Sequence, residues 1–332
     1  MVLEYSFCKG RASLKELENS TQAFLFTARS DCAFIDYTLP PLLSMCKRGE
    51  CSVSVVIDTR KATGVLGNSL RQSKISELNQ KIESLQKQSH FNIIETAYDT
   101  KRIKQANKLQ FGHGFSETHC FRGYPIYGSF KQFLETDSKY VLHLDSDMIF
   151  YEANGFSWIK EGVRIMEENP DILCVLPKGG PPTNDGSLNQ GTTSYQTDKN
   201  RGLYLFKNFT SRHYLIHRER FLSLLPLKPL WLSWREPIKS RGFGNGKMLC
   251  WETMVENVLE NSNMWRGDLM TDQAWSLHPG DRSELFLSLL PSIIKKVQIG
   301  LYPPTQAGYF DLMVKAWESF LRAKKRFIFC NQ

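Results

Sequence analysis

The amino-acid sequence predicts an α/β fold in which a mostly parallel central sheet is flanked by helices and followed by a helical C-terminal extension. In the first half of the chain, strand-like apolar runs alternate with segments of helical periodicity, which is the pattern of βα units. These runs are apolar almost throughout, as is typical of strands that helices cover on both faces. Two of them end at an acidic residue, Asp58 and Asp145, so acids are expected at the carboxyl edge of the sheet.

The first half carries the clearest secondary-structure signals. A β-branched run at 52–57 indicates a strand, and Leu78, Ile82 and Leu85 share one face of a helix. The predicted strands are 23–27, 52–57, 91–94, 140–144 and 171–176, and the predicted helices lie at 35–46, 78–85, 130–135 and 159–166.

The second half is less regular and contains no clear linker. We predict a strand at 214–216, a helix at 252–259, and two helices beyond residue 283. The expected organisation is one domain over 1–283, with two halves at about 20–150 and about 151–283. Residues 284–332 form the helical extension.

Charge and cysteine content limit the class of protein. The formal net charge of +8 suits an anionic partner such as a nucleotide, a nucleic acid or a membrane surface. None of the eight cysteines forms a C-x-x-C pair, so neither a zinc ribbon nor a redox motif is predicted. The N-terminus has no apolar signal core, and no apolar run is long enough to span a bilayer. We therefore expect a cytoplasmic protein with reduced thiols.

The most informative segment is Tyr140-Val-Leu-His-Leu-Asp-Ser-Asp-Met-Ile-Phe150. Its acids Asp145 and Asp147 stand where a buried strand emerges at its carboxyl edge, and open α/β sheets bind ligands there. Neighbouring carboxylates repel unless a cation lies between them, and Mg²⁺ or Mn²⁺ takes carboxylate and phosphate oxygens. The pair is therefore predicted to hold a metal that bridges a diphosphate. An acidic turn or helix cap after the strand is the structural alternative.

This D-x-D strand resembles that of glycosyltransferases with the GT-A fold, especially family 2. The strand ending at Asp58 is similar to the family strand whose last acid contacts the nucleoside, and the segment from Arg122 to Phe130 takes the place of its glycine-containing turn and helix. The strand near Thr27 resembles the first strand of the family, although Phe26-Thr-Ala-Arg29 replaces the usual Pro-x-Tyr-Asn. The resemblance covers about residues 22–280. It implies that 1–283 is a catalytic domain, with a nucleotide-binding half at about 20–150 and an acceptor-binding half at about 151–283. It also implies a nucleotide site that includes Thr27, Arg29, Asp58, Arg122, Asp145 and Ser146.

Two later residues extend the resemblance. Glu252 stands at the start of a predicted helix, where the family places its catalytic acid, and a carboxylate there can remove a proton from an acceptor hydroxyl. A first-turn glutamate stabilised by the helix dipole is the alternative. Several GT-A enzymes use a late histidine as a metal ligand, and His278 is the matching residue, giving Asp145, Asp147 and His278 as the expected set.

The expected function is metal-dependent transfer of a sugar from a nucleoside diphosphate sugar, a UDP-sugar in particular, to an acceptor hydroxyl with inversion. The acceptor is expected to be a saccharide or a lipid-linked molecule. A retaining glycosyltransferase or a sugar nucleotidyltransferase on a related fold is the alternative. A non-enzymatic nucleic-acid binder has the least support, because the sequence contains no basic stripe interleaved with aromatic residues.

Residues 309–329 combine aromatic and basic side chains. Trp317 and Phe320 belong to the apolar set, and a basic cluster runs from Arg322 to Arg326. This combination is what a helix lying in a membrane interface needs, so peripheral contact with the inner face of a membrane is one expectation. The alternative is that the same apolar face packs on the catalytic domain.

Overall fold

The computed structural model describes residues 21–61, 73–189, 194–233 and 246–329, without the side chains of 324–329. The strands are β1 (Thr21–Ala28), β2 (Ser52–Asp58), β3 (Asn92–Glu95), β4 (Tyr140–Asp145), β5 (Ile149–Glu152), β6 (Ile172–Leu176), β7 (Lys178–Gly179), β8 (Gln196–Asp198), β9 (Leu203–Phe206), β10 (His213–His217), β11 (Trp265–Leu269) and β12 (Ala274–Leu277). The helices are α1 (Ile35–Arg48), α2 (Ile75–Gln86), α3 (Thr100–Phe111), α4 (Tyr127–Lys131), α5 (Trp158–Glu168), α6 (Arg218–Ser223), α7 (Trp251–Glu260), α8 (Glu284–Val297) and α9 (Val314–Phe329).

The α/β class is confirmed, with a nine-stranded central sheet in the order β3-β2-β1-β4-β10-β6-β11-β9-β8. The block β3-β2-β1-β4 is parallel, as predicted. Beyond it the sheet is mixed, because β10 is antiparallel to both of its neighbours and β8 and β9 run against the strands beside them. A second, three-stranded sheet has the order β5-β12-β7, and its strand β5 comes soon after the D-x-D segment in the chain.

The core lies on both faces of the central sheet, which explains the continuous apolar runs. One apolar cluster joins α1, α2 and α5 to the sheet, and a second joins the opposite face to α3, α4 and α7. Strands β1, β4 and β6 contribute to both clusters, because alternate side chains point to opposite faces. These helices fix the carboxyl edge of the parallel block, where the candidate site lies.

The predicted elements of the first half are present, with one shifted start. The helix predicted at 130–135 begins earlier, at Tyr127, and continues as a 3₁₀ turn over Gln132–Leu134. Most strands of the second half are not among the predicted elements, namely β7, β8, β9, β11 and β12. Strand β11 illustrates one reason. It buries Arg266 and Asp268 as a bidentate ion pair with N–O distances of 2.6 and 2.7 Å. A strand that carries two charged residues has a polar sequence and is difficult to recognise from its pattern.

The C-terminal segment packs on the domain. Trp317 of α9 is fully buried in a third apolar cluster with residues of α8, and its Nε1 donates to Gln306 Oε1 at 3.1 Å. Phe320 is partly buried against the same cluster. Packing on the domain therefore accounts for Trp317, Phe320 and Leu321, whereas Tyr309 and Met313 of the same aromatic and apolar set are exposed. The side chains at 324–329, with much of the basic cluster, lie outside the described residues. No helix of the described part has the length and apolar character needed to cross a membrane.

Candidate functional site

A cavity of about 390 Å³ opens at the carboxyl end of β4. Its lining brings together four of the residues proposed from the sequence, namely Arg122, Asp145, Glu252 and His278. The lining also contains Tyr124, His143, Arg212 and Asp311, which the sequence did not indicate as site residues, together with the hydroxyl side chains of Ser129, Thr210, Ser211 and Thr253. Residues more than a hundred positions apart thus meet at the sheet edge where ligands of α/β folds bind.

The reversed direction of β10 places Arg212 beside Asp145. Because β10 runs antiparallel to β4, its first residue lies next to the last residues of β4, and His213 pairs with Leu144. The Asp145 amide donates to the Arg212 carbonyl at 2.8 Å, which continues this pairing beyond the strand end. The Arg212 guanidinium lies 3.4 Å from Asp145 Oδ2 and over the Tyr124 ring, 5.3 Å from its centroid.

Asp145 is held as a carboxylate within this cavity. Burial opposes its ionisation, but the hydrogen bond with His143 at 3.3 Å and the charge of Arg212 outweigh burial and lower its pKa. Burial likewise works against the charge on Arg212, yet Asp145, Asp147 and Glu252 raise its pKa. The cavity therefore contains a fixed carboxylate and a fixed cation in contact.

Glu252 lies in the first turn of α7, which Cys250 precedes as the N-cap residue. Its Oε2 accepts two hydrogen bonds from Ser211, one from the amide at 3.0 Å and one from Oγ at 2.8 Å. The positive end of the helix dipole also favours a carboxylate at this position. Ser211 therefore orients the Glu252 carboxylate within the cavity that Arg212, the next residue of the chain after Ser211, also lines.

His278 follows β12 and is oriented by the C-terminal segment. Its Nδ1 lies 3.0 Å from Asp311 Oδ1, and its ring stacks on Phe310 with centroids 5.7 Å apart. Backbone bonds join His278 to Phe310 and Leu312. Because Nδ1 is paired with Asp311, Nε2 is the ring atom that can bind a ligand or exchange a proton. The segment predicted as an extension therefore contributes Phe310 and Asp311 to the cavity lining.

Asp147 and Ser146 belong to a neighbouring buried network and do not line this cavity. The Arg282 guanidinium lies between the carboxylates of Asp147 and Asp31. It contacts Asp147 Oδ2 and lies 3.1 Å from Asp31 Oδ1. Ser146 donates to Asp31 Oδ2 at 2.7 Å. Burial raises the pKa of Asp31, and the charge of Arg282 opposes that rise. Arg282 thus supplies one positive charge to a pair of buried acids.

The three expected metal ligands do not converge on one point in this arrangement. Within the described residues, no group of three His, Cys, Asp or Glu side chains could hold an ion together. Asp145 and His278 line the cavity, whereas Asp147 faces Arg282. Asp147 Oδ1 is buried and has no hydrogen-bond partner there, so it is the oxygen left for a cation. Metal binding stays a prediction. The positive charge of an ion at Oδ1 would compete with that of Arg282, which contacts Oδ2, for the negative charge of the Asp147 carboxylate.

The expected nucleoside residue Asp58 lies at the same sheet edge. Strand β1 separates β2 from β4, so the two strand ends are about 10 Å apart. Asp58 accepts hydrogen bonds from the Tyr98 hydroxyl at 2.7 Å and the Arg60 amide at 2.9 Å, and His119 Nε2 lies 3.4 Å away. Burial disfavours its charge, but these contacts lower its pKa.

The other two proposed nucleotide residues have structural contacts. The Thr27 hydroxyl is buried and donates to the Val56 carbonyl at 3.0 Å, which ties β1 to β2. Arg29 donates to the Thr59 carbonyl at 3.0 Å. Neither residue lines the cavity. Both stay predictions as nucleotide contacts, and their observed bonds stabilise the edge on which Asp58 lies.

Comparison with known proteins gives only distant likenesses. No protein-family model matches the chain, and no curated protein matches it. Among solved structures, TarS of S. aureus is 10% identical with a TM-score of 0.39, and the match covers 82% of this chain and 39% of TarS. A UDP-glucose pyrophosphorylase complexed with UDP-glucose is 10% identical with a TM-score of 0.43, covering 84% of this chain and 99% of the other.

The galactosyltransferase LgtC, solved in complex with donor and acceptor sugar analogs, is 10% identical with a TM-score of 0.33, covering 72% of this chain and 70% of LgtC. The chain therefore spans well under half the length of TarS and most of the other two. Likenesses this distant carry no argument about the chain. The roles given to residues rest on the geometry of the cavity.

Proposed function

We propose that the chain is a glycosyltransferase that moves a sugar from a nucleoside diphosphate sugar to an acceptor hydroxyl. The observation that carries the proposal is the cavity at the carboxyl edge of β4, where the cation of Arg212 lies beside the carboxylates of Asp145 and Glu252. A diphosphate leaving group needs positive charge, and a hydroxyl nucleophile needs a base. One cavity supplies both.

Arg212 is the residue we assign to the diphosphate. A guanidinium forms strong, directional hydrogen bonds with phosphate oxygens, and Arg122 lines the same cavity as a second donor. With the diphosphate there, the nucleoside would extend along the sheet edge toward Asp58, about 10 Å away. A UDP-sugar is the donor we propose, since the acid at Asp58 can accept from an imide N–H of uracil.

Glu252 is the residue we assign to the acceptor. Its carboxylate would take the proton of the acceptor hydroxyl as that oxygen bonds to the anomeric carbon. The bond from this carbon to the diphosphate breaks in the same step, and the nucleoside diphosphate leaves with the electron pair. Attack opposite the leaving group inverts the anomeric configuration. The acceptor is a saccharide or a lipid-linked molecule, because both present hydroxyl groups.

The test is a transfer assay on the full chain with a panel of UDP-sugars and with saccharide and lipid-linked acceptors. We expect release of UDP, and we expect Glu252→Gln to lower kcat by about 10²–10⁴-fold, since that is the contribution of a positioned base. Glu256→Gln is the matched control, because it removes a partly buried glutamate one turn later in α7 and outside the cavity lining.

Three outcomes would contradict parts of the proposal. Near-normal transfer by Glu252→Gln would exclude this residue as the base. A product that keeps the donor's anomeric configuration by NMR would indicate a retaining enzyme, as in glycosyltransferase family 8. Release of pyrophosphate with formation of a UDP-sugar from UTP would indicate a nucleotidyltransferase.

A further inference from the structure

Two thiols distant in sequence meet at the wall of the candidate cavity. Cys120 Sγ and Cys250 Sγ are 3.2 Å apart. Their segments are already joined, because the Phe121 amide donates to the Met248 carbonyl at 2.9 Å. A disulfide bond is about 2.05 Å long, so the sulfur atoms need to approach by only about 1 Å to form one. The two cysteines are 130 positions apart in the sequence, so no C-x-x-C motif marks the pair.

The turn that holds Cys120 favours a thiolate. The Cys120 amide donates to the Tyr124 carbonyl, and the Gly123 amide donates to the Cys120 carbonyl, both at 2.9 Å. A hydrogen bond from the Cys250 thiol lowers the pKa of Cys120 to about 7 against the effect of burial, and the nearby amides of Arg122, Gly123 and Tyr124 act in the same direction. The same hydrogen bond, together with burial, raises the pKa of Cys250, so the two sulfur atoms share one proton. The thiolate is the form that attacks another sulfur atom.

The two cysteines differ in access. Cys250 is partly exposed and lines the cavity, whereas Cys120 is fully buried behind it. A small oxidant therefore reaches Cys250 first, and the Cys120 thiolate lies in position to attack the oxidised sulfur. This is the usual arrangement of an accessible thiol beside a resolving thiol.

We propose that Cys120 and Cys250 are an oxidation site that forms a reversible disulfide when the protein meets a peroxide. Cys250 first passes its proton to Cys120 along the contact between the two sulfur atoms, and the Cys250 thiolate attacks a peroxide oxygen to give a sulfenic acid and hydroxide. The hydroxide takes the proton back from Cys120 and becomes water, which restores the Cys120 thiolate. The Cys120 thiolate then attacks that sulfur, the S–S bond forms, and hydroxide leaves and is protonated to a second water. A dithiol reductant reverses the reaction by thiol–disulfide exchange.

The disulfide would join the Arg122 turn to the start of α7. Cys250 is the N-cap residue of this helix, and Glu252 lies two residues further on. Drawing Cys250 toward Cys120 shifts the first turn of α7 relative to Ser211, which orients Glu252. The oxidised protein is therefore expected to have a lower turnover. This consequence rests on the proposed function, whereas formation of the disulfide does not.

The experiment treats the full chain with hydrogen peroxide at a small molar excess, alkylates the remaining thiols, and maps the peptides by mass spectrometry. We expect loss of both reactive thiols at Cys120 and Cys250, a peptide pair joined by one S–S bond, and complete recovery with dithiothreitol. Cys120→Ser should leave Cys250 as a sulfenic acid that a dimedone probe traps. Transfer measured before oxidation, after oxidation and after reduction reports the effect on turnover separately.

Cys46 and Cys51 provide an internal control. The Cys51 amide donates to the Cys46 carbonyl at 3.0 Å, and the contact with the Cys51 thiol, together with burial, raises the pKa of Cys46. This pair should stay reduced under conditions that oxidise Cys120 and Cys250. Two results would overturn the proposal, namely full alkylation of Cys250 after peroxide treatment, or oxidation of Cys46 and Cys51 at the same rate. If the disulfide forms on oxidation but the reduced protein shows no transfer activity, only the proposed function is contradicted.

Discussion

Arg282 lies between two buried acids, and its contacts decide how a metal ion could bind. Asp147 is 3% exposed and Asp31 is 7% exposed, so neither carboxylate is well solvated. Burying two charges without a counterion is costly, and one guanidinium offsets that cost here. The positive charge of a divalent ion bound to Asp147 would offset the same cost.

If a metal ion and Arg282 compete for the Asp147 carboxylate, Arg282→Gln should change both stability and metal binding. Removing the guanidinium leaves Asp31 and Asp147 unpaired, so the free energy of unfolding should fall by about 3–5 kcal/mol in EDTA. Added Mn²⁺ should raise the melting temperature of the variant more than that of the unmodified protein, because the ion gains a vacant carboxylate pair. Thermal denaturation in EDTA and in Mn²⁺ measures both effects.

The control for that measurement is Arg164→Gln, which removes an exposed arginine paired with Glu161 and Glu168 on α5. Its melting temperature should respond to Mn²⁺ as the unmodified protein does. Equal Mn²⁺ shifts in all three proteins would show that Asp147 is not a metal ligand and that Arg282 does not occupy a metal position.

At the residue scale, the sequence was informative where a residue ends a regular element. Asp145 was recognisable because it terminates an apolar strand, and Glu252 because it begins an amphipathic helix. Arg212 had no such signal. Its position beside Asp145 depends on the antiparallel direction of β10, and a short strand carries no sequence mark of its direction.

At the scale of elements, α9 illustrates how the same sequence pattern admits two environments. An apolar face beside basic residues fits a membrane interface and a packed terminal helix equally well. The structure packs Trp317 against α8 and joins it to Gln306 by a hydrogen bond. Only the three-dimensional neighbours distinguish the two.

We predict that Trp317→Ala lowers the free energy of unfolding by about 3–5 kcal/mol, because it removes a fully buried aromatic side chain. Lys315→Ala, on the exposed side of the same helix, is the control and should change it little. Denaturant titration measures both. Unchanged stability of Trp317→Ala, combined with loss of binding to anionic vesicles, would instead assign this face to a membrane.

The missed strands have two different physical reasons. Strands β9 and β12 are largely apolar and buried but only four residues long, and so short an apolar run does not distinguish a strand from a helix. Strand β11 instead carries the buried Arg266–Asp268 pair. Buried polar groups satisfied by one another look like surface residues in a one-dimensional pattern. The parallel half could be predicted because its strands contain few such groups.

At the scale of the whole molecule, the site is assembled from the entire described chain. The first half supplies Arg122 and Asp145, the second half Arg212 and Glu252, and the last segment Asp311. The division at residue 283 predicted from the sequence therefore separates residues that line one cavity. The net charge of +8 agrees with an anionic ligand, and the cavity contains two arginines to receive it.

The central claim is that Arg212 receives the diphosphate of a nucleotide donor in this cavity, and calorimetric titration with UDP and with uridine tests it most directly. We predict that UDP binds and that Arg212→Gln weakens its affinity about 10- to 100-fold, since a hydrogen bond to a charged group contributes about 1.5–3 kcal/mol. Uridine, which lacks the phosphates, should bind both proteins alike, and Arg164→Gln should bind UDP normally. Failure of UDP to bind, or an equal loss of UDP and uridine affinity in Arg212→Gln, would contradict the account.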